Sequence, residues 1–276
     1  MNRQSIRRRR AASSGVRKGE TVSTKPYAGT QSVRRAIALL KVFNDERPEW
    51  GLSDLARAAR LNKTTAYRLL TALEAEGMVA RSPESDAWRL GGEAIALGAL
   101  ALRSTDLMTA ARPELEALVR QTGETVSLEV LAGDQVVILD GVEGPSLVGA
   151  SSEVGTRWPA HATSTGKVLL AARGTPRRAR RLARLTPRTI TDPERLEGEL
   201  ARVLERGWAT AIGELEEGYV AVGAPVRDHQ GIAIAAISVG GPESRLTEAR
   251  VPQLARRVVR TADRISRRLG AGSARR

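Results

Sequence analysis

Between positions 62 and 68 the chain reads Asn62-Lys63-Thr64-Thr65-Ala66-Tyr67-Arg68, which gathers amide, ammonium, hydroxyl and guanidinium groups within two helical turns. Such a set can read the edges of base pairs. Arg68 can address guanine O6 and N7 as a fork, and threonine methyls can meet the thymine methyl. Asn62 and Lys63 can reach phosphate or base from a helix start. Tyr67 is ambiguous between a core position and a phosphate contact. A second run, His161-Ala162-Thr163-Ser164-Thr165-Gly166-Lys167, places small and hydroxyl residues where a helix would begin. Free backbone N–H groups and the helix dipole favour an anion there. An effector carboxylate is therefore expected, against the plainer reading of Thr163 or Ser164 as an ordinary N-cap.

Other constellations could in principle be catalytic, but none has diagnostic spacing. His161, Ser164 and Asp192 are triad-like types, and His161 with His229 and carboxylates would be a metal site. Gly166-Lys167 lacks the preceding glycines of a phosphate loop. The chain has no cysteine, which excludes disulfides, thiolate metal sites and a cysteine nucleophile, and suits a reducing cytoplasm. No enzymatic activity, cofactor or metal is expected.

For the first run to meet DNA it must open the second helix of a helix-turn-helix, whose N-terminal residues face the major groove. The flanking pattern supplies that frame. Val33, Ile37, Leu40, Val42 and Phe43 give a helical stripe over 31–44, closed near Pro48. Ser53 is expected to cap a short helix bearing Leu55, Ala56 and Ala59, and Arg60-Leu61-Asn62 breaks the period for a turn. Asn62 then caps a helix over 63–76 with Ala66, Leu69, Leu70 and Leu73 on one face, ended by Gly77. Short strands at 78–81 and 87–90, joined by Ser82-Pro83-Glu84-Ser85-Asp86, complete the order of a winged helix-turn-helix.

Beyond it, 91–122 is helical in pattern, with Ile95, Leu97, Leu100, Leu102 and Leu107 and a fresh start at Pro113 leading to Leu115, Leu118 and Val119. Its nearly uncharged first half suits a buried linker between subunits. Strands follow at 126–131, 135–140 and 146–150, then a loop at 154–161 and a helix opened by Thr163 and Ser164. Helices near 176–185 and 193–207 precede strands at 208–214, 219–225 and 232–239 and a last amphipathic helix at 247–269. A sheet flanked by helices makes this half α+β.

At 276 residues the chain suits two domains. Lys and Arg number 44 against 31 acids, for a net charge of +13, but residues 1–30 alone hold eight basic groups and one acid. Residues 1–29 read as a disordered basic arm, in which Arg7 to Arg10 could contact phosphate or merely be solvated. The remainder is only mildly basic, so DNA binding rests on the motif and not on the charge. No stretch approaches the roughly 20 apolar residues of a membrane span, and no apolar leader core follows the N-terminus. The expected location is cytoplasmic, with no membrane partner.

These residues resemble the IclR family of bacterial transcriptional regulators. In the DNA-reading half the blocks are Gln31-Ser32-Val33-Arg34-Arg35-Ala36, Gly51-Leu52-Ser53-Asp54-Leu55-Ala56, the run Lys63 to Leu73, and Trp88-Arg89-Leu90-Gly91. The likeness continues through Thr122-Gly123-Glu124-Thr125-Val126, the run Pro159 to Lys167, Arg206-Gly207-Trp208, Ala224-Pro225-Val226 and the run Ala236 to Pro242.

The resemblance implies a winged reader at 30–91, a helical linker at 92–105, a GAF-like effector domain with a central antiparallel sheet at 106–270, and a tail at 271–276. It also implies dimers assembled into tetramers. DNA contacts fall on Asn62, Lys63, Thr64, Thr65, Tyr67 and Arg68. The effector pocket falls on Trp158, Ser164, Thr165, Gly166, Ala211, Ile212, Glu214, Ala221 and Ser238. Where the family often has acids, this chain has Ala211, Ile212 and Gly213, and Gly240 stands in place of a second hydroxyl. That suits a metabolite with one carboxylate and an apolar body. The expected function is a sequence-specific regulator, a repressor, tuned by a small molecule. The alternatives are a metabolite sensor or enzyme without specific DNA reading, and a nucleoid-type packaging protein.

Overall fold

The computed structural model describes residues 30–44, 47–103, 106–145, 153–174 and 182–271. The expected basic arm, the strand at 146–150, most of the helix near 176–185 and all but the first residue of the tail lie outside them.

The N-terminal unit comprises α1 (Gln31–Leu40), α2 (Leu52–Ala58), α3 (Lys63–Ala75) and a hairpin of β1 (Val79–Arg81) with β2 (Trp88–Leu90). Its core is Leu39, Leu55, Ala56, Ala66, Leu70, Val79 and Trp88. α1 stops short of the expected 44, while Val42 and Phe43 pack on this core from the connection that follows. Ser53 is not the cap of α2. Gly51 takes that place with extended backbone, and its carbonyl accepts from Leu55 N at 3.0 Å, so Ser53 falls inside the first turn. Arg60 is left-handed at φ 58°, and Leu61 N donates to the Ala56 carbonyl at 2.8 Å. This closes α2 and turns the chain into α3. Trp50 and Trp88 exchange both backbone hydrogen bonds, which ties the α1–α2 connection to the hairpin.

α4 (Gly92–Arg103) and α5 (Asp106–Thr122) lead into the second unit. The expected helix start at Pro113 is wrong: Pro113 lies inside α5. An interior proline costs about 3 kcal/mol, and burial of Ala110, Ala111, Leu115 and Leu118 on both sides of it carries the helix through.

Six strands, β3 (Thr125–Ala132), β4 (Gln135–Val142), β5 (Arg157–Pro159), β6 (Ala209–Ile212), β7 (Tyr219–Arg227) and β8 (Ala233–Pro242), form an antiparallel sheet in the order β5-β4-β3-β8-β7-β6. β5 lies in a segment expected to be loop, and pairing with the edge of β4 makes it a strand. α5 and α8 (Val251–Arg268) cover one face around Val126, Leu128, Val222, Ile237 and Ile265. α6 (Ser164–Arg173) and α7 (Pro193–Arg206) cover the other around Val168, Leu169, Leu196 and Leu200. Residues 182–185 are not helical. Among the described residues no helix is long and apolar enough to cross a membrane.

Candidate functional site

Two helix starts carry the chemistry. At α3, Asn62 Oδ1 accepts from Thr65 N at 2.7 Å and caps the helix, so its side chain is engaged in the fold as well as placed at the surface. Ala66 and Leu70 face the core, while Asn62, Lys63, Thr64, Tyr67 and Arg68 are exposed and Thr65 is half-buried. Tyr67, ambiguous in sequence, is 48% exposed and stands on the outer face beside Arg68. Neither Lys63 nor Arg68 makes an ion pair with a described residue. Their charges, and the N–H groups of the first turn, face outward together, as phosphate and base contact require.

At α6 the arrangement is inverted. Thr163 caps the helix by accepting from Gly166 N at 3.1 Å, and Ser164 and Thr165 are each 1% exposed. They form the roof of a cavity of about 50 Å³ whose floor is the sheet. Pairing sets that floor in two cross-strand rows: Thr125, Gly240, Ala221 and Ala211 in one, and Ser127, Ser238 and Gly223 in the other. Glu129, Ile138, Trp158, Leu215 and Tyr219 complete the wall.

Of the nine residues expected from sequence, Trp158, Ser164, Thr165, Ala211, Ala221 and Ser238 line this cavity, while Gly166, Ile212 and Glu214 do not. Side chains alternate along a strand, so Ile212, one step from Ala211, points to the opposite face and packs with α5 and α8. At Gly166 a Cβ would stand 2.1 Å from the Ala160 carbonyl oxygen, so the glycine permits a close crossing and offers no wall. Glu214 lies beyond the end of β6 and holds Lys167 Nζ at 2.6 Å, with Lys167 only 1% exposed. Burial pushes the Glu214 carboxyl up, and the Lys167 charge opposes that shift.

Sequence reading missed Glu129, Ser127 and Tyr219. A signal existed for the first two, because Ser127 and Glu129 alternate with Val126, Leu128 and Val130 and so share one face. Glu129 accepts from Ser127 Oγ at 2.6 Å and from Thr165 Oγ1 at 2.5 Å, and Ser127 Oγ is 2.9 Å from Ser238 Oγ. Burial drives the Glu129 carboxyl above its ordinary range, partly offset by the two hydroxyl donors. Burial, then the charges of Glu129, Glu216 and Glu124, raise the Tyr219 phenol, which stays protonated. A Cβ on Gly240 would lie 2.1 Å from the Tyr219 hydroxyl. The hydroxyl absent from position 240 is thus supplied from β7. The expectation of an effector carboxylate at this helix start meets a carboxyl that the protein itself provides.

The residues weighed for catalysis have structural partners. His161 Nε2 is 2.9 Å from the Ala183 carbonyl, and Asp192 caps α7 by accepting from Arg195 N at 2.8 Å.

Comparison with known proteins agrees along the chain. The family described as IclR helix-turn-helix domain matches residues 32–83, and that described as bacterial transcriptional regulator IclR C-terminal matches 99–267. The chain is similar to the HTH-type transcriptional regulator XynR of Escherichia coli K12, at 33% identity over 87% of this chain and 97% of that protein. It is 31% identical to the transcriptional repressor IclR of the same organism, over 89% and 92%. An IclR homologue from Microbacterium hydrocarbonoxydans, solved in complex with 4-hydroxybenzoate, superposes with a TM-score of 0.69 at 30% identity, covering 86% of this chain and 98% of the other.

Proposed function

This chain belongs to the IclR family of transcriptional regulators, and on that premise we propose that it binds operator DNA through the α3 start and a small effector in the cavity beneath α6. The observation that carries the reading is the outward, unpaired polar face of α3. Lys63, Thr64, Thr65, Tyr67 and Arg68 contact the duplex there, with Asn62 fixing the helix start. The effector seats a polar group beside Ser164, Thr165 and Ser238 and an apolar body against Ile138, Trp158 and Leu215. Regulation is repression, relieved or strengthened as the effector changes the relative affinity of two states.

Self-association supports the same reading. Val33 and Ile37 on α1 and Ile95, Leu97 and Leu100 on α4 are exposed apolar side chains, which a second copy would cover in a dimer. A dimeric reader expects two half-sites related by symmetry. The protein acts in the cytoplasm, and its role is regulation and not catalysis.

Footprinting of the promoter regions beside its own gene, with and without candidate metabolites including 4-hydroxybenzoate, tests this. A protected palindrome whose occupancy responds to a metabolite, with the response lost in Ser164→Trp, is the expected result. Uniform protection of any duplex would mean packaging and not operator reading.

A further inference from the structure

The buried carboxyl in the cavity defines what the effector must present. Glu129 is 5% exposed, yet its carboxyl borders the cavity together with Ser127, Thr165 and Ser238. Counting protons settles which way these groups can bond. Ser127 has one hydroxyl proton and gives it to Glu129 Oε1 at 2.6 Å. Thr165 gives its proton to Glu129 Oε2 at 2.5 Å. Ser238, 2.9 Å from Ser127 Oγ, must then be the donor of that pair, because the Ser127 proton is already committed. All three hydroxyl protons run inward along the chain Ser238 to Ser127 to Glu129, and Thr165 to Glu129. The two short O···O distances fit hydroxyls donating to an ionised carboxylate.

What remains for a ligand at this end of the cavity is lone pairs alone, on Ser238, Thr165 and Glu129. A ligand carboxylate placed here would meet acceptors without donors and a like charge, and two carboxylates sharing a site cannot both stay ionised. The cavity volume of about 50 Å³ is near a third of the roughly 150 Å³ that holds benzene. The entering group is therefore small unless Tyr219 or Trp158 swings aside.

We propose that the Glu129 end of the cavity receives a hydrogen-bond-donating group of the effector, an ammonium or a hydroxyl, and rejects a carboxylate. This rests on the cavity being the effector site. Glu129 then acts as the residue that sets ligand class, with Thr165 and Ser238 as its neighbouring acceptors.

Three isosteric probes test it on the full-length protein: isobutylamine, isobutanol and isobutyrate. Binding is read from methyl NMR shifts of Thr165, Ala211 and Ala221. The amine and the alcohol are expected to bind about tenfold or more tightly than isobutyrate, the scale of a charge-assisted hydrogen bond. Glu129→Gln, whose amide can also donate, is expected to lower amine affinity about tenfold and improve isobutyrate. Comparison of the alcohol with the amine shows which of the two donors the site prefers. Isobutyrate binding as tightly as the amine, or a ranking unchanged in Glu129→Gln, overturns the proposal while leaving the cavity as the effector site. No shift with any probe overturns both. Should the variant not fold, the wild-type ranking decides alone.

Discussion

The starts of α3 and α6 are built from the same few residue types and do opposite things. Each is capped by its own leading side chain, Asn62 onto Thr65 N and Thr163 onto Gly166 N, and each carries threonine and lysine within the first turns. At α3 nothing packs over the polar face, so Lys63 and Arg68 keep their charges in water. At α6 two glycines bring backbone onto the helix start. Gly166 crosses Ala160, and Gly223 on β7 leaves only 3.0 Å between a would-be Cβ and Thr165 N. Once covered, the lysine needs Glu214 and the hydroxyls need Glu129. Residue type alone does not make a DNA reader or a small-molecule site; the packing on the far side decides.

Breaking each start separately should therefore give different losses. The largest is expected at the covered lysine. Glu214→Ala leaves Lys167 charged and unpaired in the interior, which costs about 3 to 5 kcal/mol, measurable by urea unfolding. The matching removal at the open start, Lys63→Ala, should change stability by no more than about 0.5 kcal/mol.

The buried carboxyl gives a dependence on pH with a definite sign. Because Glu129 is raised above its ordinary 4.5, the folded protein holds that proton more tightly than the unfolded chain. Its contribution to stability is full below about 4.5 and lost as pH rises through the folded value. Glu129→Gln has no such loss, so its Tm should gain on the wild type as pH rises above that point. A gap that shrinks with rising pH would mean the carboxyl is held as a stabilised anion.

Smaller effects belong to the exposed start. Asn62→Ala removes the cap of α3 and should cost about 1 kcal/mol, read from thermal unfolding of the DNA-reading unit. Lys63→Ala should reduce the slope of log affinity against log salt by about 1 if the ammonium contacts phosphate. An unchanged slope removes Lys63 from the interface.

How much of this was legible in the sequence differs between the two starts. The α3 frame was readable because 3.6-residue periodicity sorts Ala66 and Leu70 inward and leaves Lys63, Thr64 and Arg68 outward with no tertiary knowledge. The cap of α2 was misplaced because a serine beside a glycine is the stronger local signal, whereas the extended backbone of Gly51 decided the start. The cavity was readable only in part. Ser164 and Thr165 follow from the helix start, but Ile212 was assigned to the wrong face because facing depends on strand register, and a slip of one residue inverts it. Glu129 and Tyr219 come from strands distant in sequence from α6. Their meeting depends on β3, β8 and β7 lying side by side, which no local pattern states.

The assignment of base reading to the outward start of α3 is tested most directly by Arg68→Ala. Its affinity for the footprinted operator and for a scrambled duplex of equal length, measured by fluorescence anisotropy at one salt concentration, should fall unequally. A loss of about 1 to 3 kcal/mol at the operator, with the scrambled duplex little changed, is the predicted result. An equal loss on both duplexes would show that Arg68 touches only phosphate and that base reading lies elsewhere.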